Sequence, residues 1–140
     1  MVKSLPCLQS KPAAAMNDTV TETDSHLRKF QKELSAGTVS LVLLAVLAGS
    51  DEPLYGYQIA KRLQQSGDAL FSDKQSALYP VLRNLNAAGL LDSRVEPSVA
   101  GPPRRYYSIT ALGRAVFRDW VATWDATRRS VDSVLKGLTP

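Results

Sequence analysis

The sequence is poor in the residues that do covalent and metal chemistry. Among 140 residues there is one cysteine, Cys7, and one histidine, His26. A lone cysteine excludes an internal disulfide and fits a reducing compartment. One histidine and one cysteine leave no spaced pair from which to build a zinc site. No glycine-rich phosphate loop is present, and the acidic residues are scattered, with no pair that reads as a general acid and base. The expectation is a protein that is not an enzyme and uses no metal and no cofactor. Long apolar runs are missing too. The longest, Leu41 to Ala48, has eight residues, against about 20 for a membrane-crossing helix. Lys3 is not followed by the apolar stretch of a signal peptide. A soluble, cytoplasmic chain with no membrane contact is therefore expected.

What is present is an ordinary core-forming composition with a basic excess. Apolar residues make up 44%, enough for one packed domain. Lys and Arg number 17 against 13 Asp and Glu, a formal net charge of +4. That excess suits an acidic partner such as nucleic acid, and it equally suits a surface kept basic for solubility.

Hydrophobic periodicity orders the rest. Residues 1–25 are polar, lack an apolar period and contain Pro6 and Pro12, so they read as a disordered tail. A first helix is expected from about His26 to Ala48. Its second half is apolar nearly all round, which demands burial on every side and points to a partner subunit; a buried strand is the other reading of that run. A second helix is expected over about Tyr55–Gln65, with Ile59 and Leu63 inward. A third covers about Lys74–Ala88, with Leu78, Leu82 and Leu85 as its buried stripe. Pro80 should lie near its start, and Gly89 should end it.

Two alternating stretches follow, Leu91–Val95 and Arg105–Ile109, joined by a segment, Glu96 to Pro103, too long for a tight turn. Thr110 is a good N-cap for a last helix running to about Lys136. Along it Phe117, Trp120, Trp124, Thr127, Val131, Val134 and Leu138 recur at steps of three and four, a seam of about three heptads. Such a seam wants a second helix; folding back on the chain's own core is the alternative.

Helix, helix, helix, two-stranded hairpin, helix is the winged helix-turn-helix arrangement. The fold class expected is mainly α (α+β). The expected divisions are a tail at 1–25, the winged domain at 26–109 and a C-terminal dimerisation helix at 110–138. With the leucine stripe inward, Lys74, Gln75, Ser76, Tyr79, Arg83 and Asn86 turn toward the polar sides of the third helix, where such residues suit phosphates and base edges. An amphipathic helix with a solvated face would look the same. The hairpin brings Arg104 and Arg105 beside Tyr106 and Tyr107, a common composition for wing contacts to phosphate or minor groove. On the other reading Tyr107 is core and Arg105 pairs with Asp92.

Four segments, Leu54–Ile59, Ala77–Leu82, Ala88–Leu91 and Gly101–Thr110, resemble in order and spacing the PadR family of transcriptional regulators, and the last helix resembles its short, single C-terminal helix subfamily. The resemblance implies a homodimer joined through first and last helices. It implies a pseudo-palindromic double-stranded operator, usual action as a repressor, and helix three in the major groove. It assigns Tyr57, Tyr79 and the wing arginines to phosphate contacts or structure. It also implies release by a small aromatic effector, with Trp124 at the position that lines a central pore in some members. From the residues alone, Trp124 reads as interface core or as a platform for a flat ligand, and Trp120 as core. The alternative function is a winged-helix protein-interaction or small-molecule-binding module without DNA affinity, since fold does not fix function.

Overall fold

The computed structural model describes residues 4–65 and 75–138, with side chains described from Thr21 to Gln65 and from Ala77 to Leu138. The elements run α1 (Ser4–Ala48), β1 (Leu54–Tyr55), α2 (Gly56–Gln65), α3 (Gln75–Ala87), β2 (Leu91–Ser98), β3 (Gly101–Ile109) and α4 (Ala111–Leu135). The chain divides into two compact units, Met1–Ala36 and Gly37–Pro140.

The first unit is helical. α1 begins at Ser4 and takes in the polar stretch that composition alone left without structure. A helix satisfies its own backbone hydrogen bonds and needs no core to do so, which is why the lack of an apolar period does not exclude one. Asp24 and Arg28 pair at 2.8 Å one turn apart. Leu27, Phe30 and Leu34 are exposed.

The second unit holds the winged helix-turn-helix. Its core is built from Leu43, Leu44 and Leu47 of α1, Leu54 of β1, Ile59, Ala60 and Leu63 of α2, Leu78, Leu82 and Leu85 of α3, and Leu90, Leu91 and Tyr107. Ile59, Leu63, Leu78, Leu82 and Leu85 are the inward residues that the periodicity picks out in α2 and α3, and Ala60 joins them. Within α1 the 28 residues Thr21–Ala48 are, by length and composition alone, long and apolar enough to cross a membrane, with a mean hydropathy of 1.4 in the qualifying window. The count of unbroken runs does not see this, because an average tolerates the interrupting polar residues; the core helix of a soluble protein meets the same length and composition. The apolar end of that helix is spent on the core, with Leu43 and Leu44 fully buried.

The sheet is antiparallel in the order β1-β3-β2. β1 was not foreseen: it is two residues long, pairing Leu54 with Tyr107 and Tyr55 with Tyr106, and two residues carry no readable alternation. The wing also differs from expectation. Both strands continue through the expected connecting segment and leave only Val99 and Ala100 as the tip. Prolines normally interrupt a ladder. Here Pro97 falls at the register irregularity between Glu96 and Ser98. Pro102 and Pro103 fall where β3 has β2 on one side only, since β1 reaches no further than Tyr106.

The helix ends are fixed by specific bonds. Gly89 has φ +81. Its N–H donates to the Asn86 carbonyl at 3.0 Å, and the Leu90 N–H reaches back to Leu85 at 3.0 Å, the Schellman closure that favours glycine. Thr110 Oγ1 accepts from the Gly113 N–H at 2.9 Å and donates to the Gly89 carbonyl at 2.7 Å. One hydroxyl thus starts α4 and ties it to the end of α3. Pro80 sits in the second turn of α3, a little deeper than expected.

Candidate nucleic-acid interface

The site forms where the start of α2, the exposed side of α3 and the wing meet. Tyr55, Gly56, Tyr79, Arg83, Pro103, Arg104, Arg105 and Tyr107 line a cleft of about 290 Å³. Gly56 permits its tightness: a Cβ there would run into the ring of Tyr79. The floor is Tyr107, buried against the core. Burial pushes its phenol pKa up from 10.0, against the pull of the Arg105 and Arg83 guanidinium groups, and neighbouring Tyr79 adds to the rise.

The two wing arginines are not equivalent. Successive residues of a strand face opposite sides of the sheet. Arg105 lies on the side of Tyr107, and its Nη1 donates to Ser93 Oγ at 3.0 Å, the same hydroxyl that accepts from Asn86 Nδ2 of α3 at 2.9 Å. Asn86 therefore joins α3 to β2 instead of standing on a free face. The pairing of Arg105 with Asp92 does not form: Arg105 is opposite Val95 and Asp92 is opposite Ser108, on the other face. Arg104 faces the other way. Its guanidinium lies over the ring of Tyr55, 4.5 Å from the centroid. The acid opposite it, Glu96, is engaged by Arg94 at 2.9 Å. Arg83, Arg104 and Arg105 thus line one cleft, the Arg104 guanidinium turned toward Tyr55, and none of the three is paired with a carboxylate among the described residues, an arrangement that attracts a polyanion.

Of the other expected residues, Tyr57 is exposed at the start of α2 and stacks on Tyr55, with ring centroids 6.3 Å apart. Lys74 lies outside the described residues. Gln75 and Ser76 form the first turn of α3, and only their backbone is described. Sequence reasoning missed Tyr55 as part of the site. One signal was available: Gln58 stands three residues after Tyr55, the spacing at which a side chain reaches back to cap a helix, and Gln58 Oε1 does accept from the Tyr55 N–H at 3.1 Å.

Trp124 is on α4, away from this cleft and 41% exposed. Val121, Val131, Val134, Leu135 and Leu138 are exposed on the same helix and the turn after it. Phe117 and Trp120 pack against the core.

The family model of the PadR-like transcriptional regulators matches residues 43–119, more than half of the chain. The chain belongs to the PadR-like family of transcriptional regulators. It is accordingly a regulator and not an enzyme. A solved PadR family regulator from Eggerthella lenta is 31% identical, with 82% of this chain and 96% of that one aligned and a TM-score of 0.66. A transcriptional regulator from Clostridium thermocellum is 25% identical over 72% of this chain and 93% of its own, TM-score 0.63. PadR of Bacillus subtilis, solved in complex with operator DNA, is 24% identical over 61% of this chain and 47% of its own, TM-score 0.54. That last likeness is one of fold.

Proposed function

We propose that this PadR-like regulator binds double-stranded DNA through the cleft between α3 and the wing. In this reading it acts in the cytoplasm as a homodimeric repressor on a pseudo-palindromic operator and lets go when a small aromatic ligand binds. The observation that carries the DNA reading is the set of three arginines, Arg83, Arg104 and Arg105, that line one cleft at the exposed side of α3 and make no ion pair among the described residues. Phosphates are the partners such a cluster fits best, because each neutralised phosphate releases counterions. Tyr57, Tyr79, Lys74, Gln75 and Ser76 complete the proposed contact set, with α3 in the major groove reading base edges. The existence of a bound DNA in the Bacillus subtilis neighbour supports the same reading. The exposed strip on α4 supports dimerisation. Trp124 within it supports a ligand platform formed by two indole faces across the dimer axis.

The test is the salt dependence of binding to a duplex from upstream of the chain's own gene and to a random duplex. Wild type binds both, the first more tightly, and log K falls linearly with log salt. Arg104→Ala weakens binding to both and flattens the slope by about 0.9, the value for one lost phosphate contact. An unchanged slope removes the wing from the interface. No binding by wild type to either duplex overturns the DNA reading itself.

A further inference from the structure

We infer that Tyr55 is a positioning residue that holds the Arg104 guanidinium ready for a backbone phosphate; the inference rests on the DNA reading above. Arg104 is exposed on β3, and a free arginine on a wing samples many rotamers that a bound phosphate would have to freeze. Here the guanidinium lies over the Tyr55 ring at 4.5 Å from its centroid. Contact through the π face leaves the in-plane N–H edges of the guanidinium free to grip two phosphate oxygens at once.

The platform is itself held on several sides. Tyr55 pairs with Tyr106 in the sheet, and the two rings meet edge to face at 5.4 Å and 69°. Tyr57 stacks with it at 6.3 Å and 21°. Its backbone N–H is taken by Gln58. Glu96, opposite Arg104 in the ladder, is engaged by Arg94, and Arg104 itself makes no ion pair among the described residues. Tyr55 also borders the same cleft as Arg83 and Arg105, so the ring both aims Arg104 and forms part of the wall beside it. Tyr55 carries no charge, so its effect on binding must pass through the arginine.

The experiment is a double-mutant cycle with Tyr55→Leu and Arg104→Ala on a random duplex between about 50 and about 200 mM salt, alongside the NMR signal of the Arg104 Nε–H in the free protein. Tyr55→Leu is expected to weaken binding about threefold to fivefold, the worth of an exposed cation–π contact, and to cost nothing further once Arg104 is alanine. The Arg104 Nε–H resonance, shifted upfield by the ring in wild type, moves to the free-arginine position in Tyr55→Leu. Tyr55→Phe, which keeps the π face, recovers both the affinity and the shift. Equal losses from Tyr55→Leu with and without Arg104 overturn the proposal, as does a Tyr55→Phe variant as weak as Tyr55→Leu, which would make the hydroxyl the acting group. Because the NMR shift is read without DNA, failure of the stacking is told apart from failure of the DNA reading, which shows only as wild type ignoring both duplexes.

Discussion

Arg104 and Arg105 are adjacent in the chain and serve different surroundings: one rests on Tyr55, the other is tied to Ser93 at the junction of α3 and β2. The cleft between them depends on Gly56. Gly56→Ala pushes against the far end of the Tyr79 ring, which can swing aside, so DNA affinity should fall while the unfolding free energy drops by only about 1 kcal/mol; a loss of stability with affinity intact would contradict this. Tyr107 gives a pH test. Its folded-state pKa is raised above 10.0 by burial. The neutral phenol's contribution is therefore complete below the unfolded value and lost as pH rises through the folded one. Stability should fall as pH climbs past about 10, less steeply in Tyr107→Phe, as read from denaturant midpoints. The arginines, Tyr79 and Tyr107 were legible in the sequence because residue type and strand alternation identify them. Tyr55 was not, because its place beside Arg104 comes from a two-residue strand too short to show alternation, and the Gln58 spacing marks a helix start, not a partner for an arginine.

At the level of elements, Ile59 and Leu63 of α2, the leucine stripe of α3, the glycine that ends α3 and the threonine that starts α4 could be read from spacing and residue type, since each reflects a local rule. The Thr110 hydroxyl bridges two helix ends, so Thr110→Ala should cost about 1 to 2 kcal/mol. Gly89→Ala, forced to keep φ +81, should cost about 1 kcal/mol. Equilibrium denaturation checks both. The wing strands were under-read because three prolines argue against strand. The structure accommodates them at an irregularity and along a stretch with a single neighbour, and that is set by how far β1 extends, a tertiary fact. The helical start of α1 was missed for a related reason: absence of an apolar period speaks against packing, not against helix.

For the whole molecule, the unresolved demand is the apolar strip of α4. Phe117 and Trp120 are half-buried and pack against the core, while Trp124, Val131, Val134 and Leu138 are exposed. The heptad spacing that made this seam readable in the sequence also says what it suits, a second helix of the same kind. Arg128 and Arg129 pair with Asp125, and Arg128 also with Asp132. These ion pairs give the helix local support, so Val131→Asp should leave the winged domain folded by circular dichroism while lowering self-association at least tenfold. A small aromatic ligand seated between two copies should quench tryptophan fluorescence saturably, and Trp124→Phe should abolish that response while Trp120 remains. In the proposed function two chains together present their basic clefts to one duplex. Sedimentation equilibrium of the protein with a duplex from upstream of its own gene measures this most directly. The predicted result is a complex of two chains per duplex, reduced to weak single-chain binding by Val131→Asp; wild-type protein sedimenting as one subunit, with or without the duplex, would contradict it.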